Sequence, residues 1–195
     1  RFNGVDIVQT KWYNKIHAGT YLKKIIEHHG WSDEKAANIP LPMRNDSKYL
    51  ADIQLTEGPQ DPKEAKELSK QMGFNYRQAI GELIFALTIC RMDMSKPVIV
   101  LSQHSAAPAA IHYKAVKHIF VYLNATLDDG IYYWRSAPRD DLPDIPLPKT
   151  ISDALKLEKY PQATDPTNLF GSADATWASD RKTRRSMGGV VFMFA

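Results

Sequence analysis

A single cysteine, Cys90, stands in the whole chain. That excludes an internal disulfide framework and a zinc site built on thiolates, and it fits a reducing compartment. No apolar run approaches the roughly 20 residues that a membrane span needs, and no leader-like charged and apolar segment opens the sequence. The longest apolar stretch, residues 79–90, carries Glu82 and repeats with helical spacing, so a core helix is expected there. No glycine-rich phosphate loop and no Gly-x-Ser-x-Gly elbow occur, so neither signature of phosphate-loop or serine-hydrolase chemistry is present. Charge of one sign is also scarce. At a net +3, any nucleic-acid footprint has to be a local patch rather than an overall field.

What is present is an ordinary globular composition, 44% hydrophobic and 24% charged, which argues against disorder throughout. Its 195 residues can hold one or two small domains with real cores. The six histidines include His28-His29. Adjacent side chains diverge by about 100° on a helix and meet one ion poorly, so a helix C-terminal pair facing the dipole is expected instead.

Periodicity places strands over residues 2–9 and 11–16 and an amphipathic helix over 20–29 that stops at Gly30. Residues 31–75 carry Pro40, Pro42, Pro59 and Pro62 and read as a long connection with one polar helix at 62–72. Three helices follow at 76–89, 95–103 and 109–123, and a compact helical bundle is their natural packing. The first has Asn75 as its cap and Ile80, Leu83, Ile84 and Leu87 as its expected buried face. The last carries a stripe of Val116, Ile119, Phe120 and Leu123. A short strand at 131–134 precedes a proline-rich linker, residues 135–167. Two apolar strands flanking a basic turn close the sequence, and the second is expected to need partners the sequence does not supply. The start at Arg1 without Met fits a fragment, a processed product or a trimmed chain.

Three places could hold chemistry. Asp174 is a carboxylate inside an apolar strand: a metal ligand, an exposed strand residue, or a turn partner of Arg184. One carboxylate is too few for two-metal nuclease chemistry. The run 180–185, with Arg184 and Arg185, is either a solvated turn or a phosphate contact. Lys114, Lys117 and His118 lie off the apolar stripe of their helix, as a solvated face or one that tracks a nucleic-acid backbone.

Several blocks resemble the Pol polyprotein of copia-type LTR retrotransposons, in that family's order. Arg1-Phe-Asn-Gly4-Val-Asp-Ile7 resembles its Phe-Leu-Gly-Ile block, and Tyr21-Leu-Lys-Lys-Ile-Ile26 a helix downstream. Tyr76-Arg77-Gln-Ala-Ile-Gly81-Glu-Leu83 resembles Tyr-Arg-x-x-Ile-Gly-x-Leu, and Arg91-Met-Asp93-Met resembles Arg-Pro-Asp-Ile. Leu101-Ser-Gln103, Pro108 to His112 and Ala115-Val-Lys117-His-Ile-Phe-Val-Tyr122-Leu123 continue the match. Gly171-Ser-Ala-Asp174-Ala-Thr-Trp177, Arg184-Arg185-Ser186 and Gly189-Val-Val-Phe192 complete it.

The resemblance implies an α+β chain: a reverse-transcriptase palm edge with primer grip at 1–40, a connection at 41–75 and a helical thumb at 76–134. A linker at 135–167 and the first RNase H β-hairpin at 168–195 follow. Phe2 and Gly4 would then lie near a primer terminus, and Lys114, Lys117, His118, Arg184 and Arg185 would contact a template–primer duplex of RNA or DNA. Asp174 would be the first RNase H carboxylate, a Mg²⁺ ligand in the complete parent. The parent would polymerise DNA and cleave RNA in hybrids.

The remaining partner would be the rest of Pol, with no membrane, in a cytoplasmic virus-like particle or the nucleus, and not secreted. The polymerase Tyr-x-Asp-Asp motif and the further RNase H carboxylates are absent from the sequence, so neither activity is expected of this chain alone. Departures are Met92 for Pro, Asn124-Ala125 for Lys-Gly and Thr176 for a second Asp. A decayed or co-opted remnant that binds nucleic acid without catalysis is the alternative, and a non-binding structural domain a third.

Overall fold

The structure is a computed structural model that describes residues 4–43, 47–149 and 152, together with the backbone of 169–176 and 187–194. Phe2, Arg184, Arg185 and most of the expected linker lie outside the described residues. The chain divides into two compact units, Arg1–Leu142 and Pro143–Ala195.

In the first unit, β1 (Asp6–Gln9) and β2 (Tyr13–His17) form an antiparallel hairpin, both starting later than the sequence suggests. Thr10 closes the turn: its hydroxyl donates to the Tyr13 carbonyl at 2.8 Å and accepts the Tyr13 N–H at 3.0 Å. Helix α1 (Gly19–His29) follows and ends at Gly30, whose φ of 71° is the left-handed cap that a glycine takes without strain. The strand after the bundle, β3 (Gly130–Trp134), returns to pair with β2, giving a three-stranded order β1-β2-β3.

The region read as a connection contains a helix that proline content concealed. Helix α2 (Lys48–Leu55) is capped by Ser47, whose hydroxyl accepts the Leu50 N–H at 3.1 Å, and it buries Leu50 and Ile53. Two turns between Pro42 and Pro59 are too short for apolar periodicity to stand out. Helix α3 (Pro62–Met72) forms where Asp61, Pro62 and Gly73 mark its ends. Between α2 and α3, Gly58 lies so close to the 107–108 backbone that a Cβ would stand 2.4 Å from the Ala107 oxygen.

Helices α4 (Tyr76–Ile89), α5 (Ser95–Ser102) and α6 (Ala110–Ala125) make the bundle, with a 3-10 turn, Met92–Met94, leading into α5. Helix α6 is central, with His112, Tyr113, Ala115, Val116 and everything from Ile119 to Leu123 buried. Leu22 and Ile26 of α1, Ile53 of α2, Leu83 of α4 and Leu101 of α5 join the same core. An aromatic group knits α1 to α6: His29 stacks on Trp31 at 4.3 Å, and Trp31 lies 5.1 Å from Phe120 and 5.0 Å from Phe74.

His112 seats α2 against α6. Its Nδ1 accepts the Ala109 N–H at 2.9 Å, so Nε2 carries the proton and donates to the Ile53 carbonyl at 2.9 Å. Burial pushes its pKa below the ordinary value, more than the Ile53 contact raises it. The unfolded chain therefore takes up this proton first. Stability from His112 is complete above about pH 6.5 and declines as pH falls from there through the folded pKa. Urea midpoints measured from pH 7.5 to 5 are expected to fall, and to fall less steeply in His112→Gln. His17, lowered by burial and by Lys15, adds the same sign.

In the second unit, β4 (Leu169–Thr176) and β5 (Met187–Phe194) form an antiparallel hairpin with Asp174 opposite Gly189.

Candidate nucleic-acid interface

The basic strip of α6 is largely committed to the molecule itself. Lys117 Nζ lies 2.5 Å from Glu34 Oε1 and 5.9 Å from the centre of the Trp31 ring. His118 Nε2 is 3.1 Å from the Ile39 carbonyl, and the Asn124 side-chain amide donates to the Ser32 carbonyl at 2.8 Å. These groups seat residues 32–39 along α6. Lys114, of the three, is exposed.

A different face stands open. Helix α4 buries Tyr76, Ala79, Ile80, Leu83 and Ala86. At about 100° per residue, Arg77, Gly81, Phe85 and Thr88 share the opposite side with Ile84 at its edge, and all five are exposed. Ile84, expected in the core, is 41% exposed because it sits on the flank of that buried stripe, and Phe85 is 38% exposed. A Cβ added at Gly81 would meet nothing within 4 Å, so the helix carries a notch between Arg77 and Phe85. Arg77 is held by its Nε, which donates to the Ser105 carbonyl at 2.8 Å.

Gly4 belongs to this face. Its φ is +82°, and a Cβ there would lie 3.7 Å from Phe85 Cζ. Tyr21 flanks the same ring at 4.6 Å, and its hydroxyl reaches the Glu82 carbonyl at 3.4 Å. Burial, with Glu82 nearby, pushes the Tyr21 pKa up to about 12, so it remains a neutral donor. Glu82 in turn faces inward, 2.7 Å from His29 Nε2.

The fold thus brings Gly4 together with α4, while Lys117 and His118 point into the 31–40 seam. The α4 stripe was missed in the sequence, although Gly81 inside an otherwise strong helix was a usable signal. A helix-interior glycine costs about 1 kcal/mol, so its presence asks for a reason such as close approach by another surface. Asp174 lies mid-strand in β4, with its backbone alone described. Among the described residues, no group of three or more His, Cys, Asp or Glu is placed to hold a metal ion. Among them, too, no helix is long and apolar enough to cross a membrane.

No family model matches the chain, and no solved structure does. Over 117 residues, 60% of the chain, it is 26% identical to "Secreted RxLR effector protein 161" of Plasmopara viticola, covering 63% of that protein. Over 194 residues, 98% of the chain, it is 23% identical to the "Retrovirus-related Pol polyprotein from transposon TNT 1-94" of Nicotiana tabacum, of which it spans 12%. A similarity that runs the whole length of the chain supports its origin in a retrotransposon Pol polyprotein.

Proposed function

We propose that this chain is the duplex-gripping part of a retroelement reverse transcriptase, and that the outer face of α4 is its principal contact. The observation that carries the reading is that face: an exposed, uncharged stripe of Gly81, Ile84, Phe85 and Thr88, flanked by Arg77 and floored by Gly4. An uncharged ridge suits sugars better than phosphates. In an A-like RNA–DNA hybrid the minor groove is wide and shallow and presents sugars and base edges to such a ridge. The Gly81 notch would let the helix backbone approach closely, while Lys114 and Arg77 would supply phosphate contacts. Contacts of that kind hold a duplex without reading its sequence.

Asp174 is the one carboxylate on the two described strands of the β4–β5 hairpin, and by itself it is too few donors for a two-cation centre. The work of this chain in the parent is then to position the substrate. The second reading is a remnant that binds nucleic acid without catalysis, and the similarity over 60% of the chain to a protein named as a secreted effector keeps it in view.

Anisotropy titration of a labelled RNA–DNA hybrid tests the reading. Affinity is expected to fall with rising salt and to be indifferent to sequence. Phe85→Ala should weaken it about fivefold or more, and Lys114→Ala should reduce the salt slope by about one. Lys117→Ala, whose ammonium is held by Glu34, should leave the slope nearly unchanged. Equal effects of all three variants, or no binding at low salt, would overturn the proposal.

A further inference from the structure

Helix α4 carries one carboxylate, Glu82, whose two oxygens are divided between a buried ring and an exposed amide. Oε2 accepts from His29 Nε2 at 2.7 Å, and the His29 and Glu82 side chains are 7% and 15% exposed. The His29 ring is itself held, stacked on Trp31 at 4.3 Å and 5.3 Å from Phe120. Oε1 accepts from Gln78 Nε2 at 3.0 Å. A pair four residues apart on a helix surface is ordinarily weak. This one ends on a fixed, buried histidine, so Glu82 has little freedom to leave its place.

The chemistry of the pair orients the amide. A carboxylate accepts and has nothing to donate, so Gln78 turns its NH2 to Glu82 and its carbonyl oxygen away. Around the helix, Glu82 stands about 40° to one side of Gln78 and Gly81 about 60° to the other. With its nitrogen held toward Glu82, the planar amide carries Oε1 on the side of the Gly81 notch. Phe85 lies within about 20° of the same line, two turns on, and Gln78 is exposed. Among the described residues no donor meets Gln78 Oε1. The outer face of α4 thus presents one oriented acceptor beside its uncharged ridge.

We propose that Gln78 is the residue by which this face tells an RNA-containing duplex from DNA, its Oε1 accepting the 2′-hydroxyl of a ribose that crosses the Gly81 notch. Glu82 and His29 are positioning residues that act through it. The 2′-hydroxyl is the group that separates RNA from DNA at a given site, and an A-like helix displays it in a wide minor groove. The base edges of a DNA minor groove offer acceptors, adenine N3 and thymine O2, and one donor, the guanine amino group. A glutamine free to turn would offer its NH2 and bond those acceptors in DNA as well. Held by Glu82, it favours a ligand that brings a donor, and A/T DNA brings none. The proposal rests on the duplex reading of α4 and adds the strand chemistry that this face selects.

The test leaves guanine out of the probes. The full chain is titrated by anisotropy with a hybrid of mixed A/U RNA and its DNA complement, and with the matching A/T DNA duplex. A third probe is the same hybrid with 2′-fluoro sugars in the RNA strand, which keeps the A-like shape and lacks the hydroxyl donor. The hybrid is expected to bind about three- to tenfold more tightly than the 2′-fluoro form, the range of one hydrogen bond. Gln78→Met, which keeps length and helix propensity without the carbonyl, should abolish that difference. Glu82→Gln frees the amide to turn and should narrow it. The 2′-fluoro probe needs no variant, so the test does not depend on how either variant folds. If Phe85→Ala weakens hybrid binding while the 2′-fluoro strand binds as the hybrid does, the Gln78 assignment falls and the α4 reading stands. If no probe binds at low salt, both fall.

Discussion

Asp93→Asn is expected to destabilise the fold by about 2 kcal/mol, because it strands a buried guanidinium, although the Asp93 carboxylate itself is 38% exposed and water offsets part of the loss. Arg91 is 1% exposed, although its type is rarely inside. Asp93 takes both ends of its fork, Nε to Oδ1 at 3.0 Å and Nη2 to Oδ2 at 2.8 Å. The other donations go to the end of α6, from Nη1 to the Thr126 carbonyl at 2.9 Å and from Nη2 to its hydroxyl at 2.8 Å. Tyr122 closes the group by donating to Asp93 Oδ2 at 2.7 Å, with its ring 5.3 Å from the guanidinium. The network fastens the start of α5 to the exit of α6, the point from which the chain turns to β3.

Burial alone would raise the Asp93 carboxyl, but the hydrogen bonds from Arg91 and Tyr122 outweigh it and hold it below the usual carboxylate range. Its stabilisation is therefore present above about pH 4 and is lost as pH falls through the lower, folded value. Arg91→Met should cost less than Asp93→Asn if the uncompensated charge is the damage, and urea unfolding at pH 7 reads both. A loss below about 0.5 kcal/mol for Asp93→Asn would reduce the pair to an ordinary surface bridge.

This network also explains a block that sequence resemblance could only flag. Arg91 and Asp93 are a structural clamp, and Met92 between them, where the related pattern has Pro, is 63% exposed at the head of the 3-10 turn. A turn that starts with its first residue in solvent tolerates either.

Periodicity and caps were sufficient for α1, α3 and α4, because Gly30, Gly73 and Asn75 mark ends with local chemistry. The return of β3 to β2 was not legible. Antiparallel partners more than 110 positions apart leave no local trace beyond two short apolar strands. The pairing of Lys117 with Glu34 was hidden for the same reason, since charge on a helix face does not say which loop will fold across it. Ile84 misled because apolar residues predict burial, whereas an exposed apolar patch, here Ile84 with Phe85, is itself the signal of a contact surface.

The second large effect concerns that surface. Gly81→Leu should leave folding intact or strengthen it by about 0.5–1 kcal/mol, since leucine is the better helix former and nothing stands within 4 Å of the new Cβ. The same side chain fills the notch between Arg77 and Phe85 and would hold α4 away from a groove. Stability and binding are thereby driven in opposite directions, which a merely structural role for Gly81 cannot do.

The most direct measurement is the affinity of Gly81→Leu for an RNA–DNA hybrid, taken beside its thermal midpoint. The account predicts an affinity about tenfold weaker or worse with a midpoint equal to or above that of the unaltered chain. An unchanged affinity at an unchanged or higher midpoint would contradict it and remove α4 as the duplex contact.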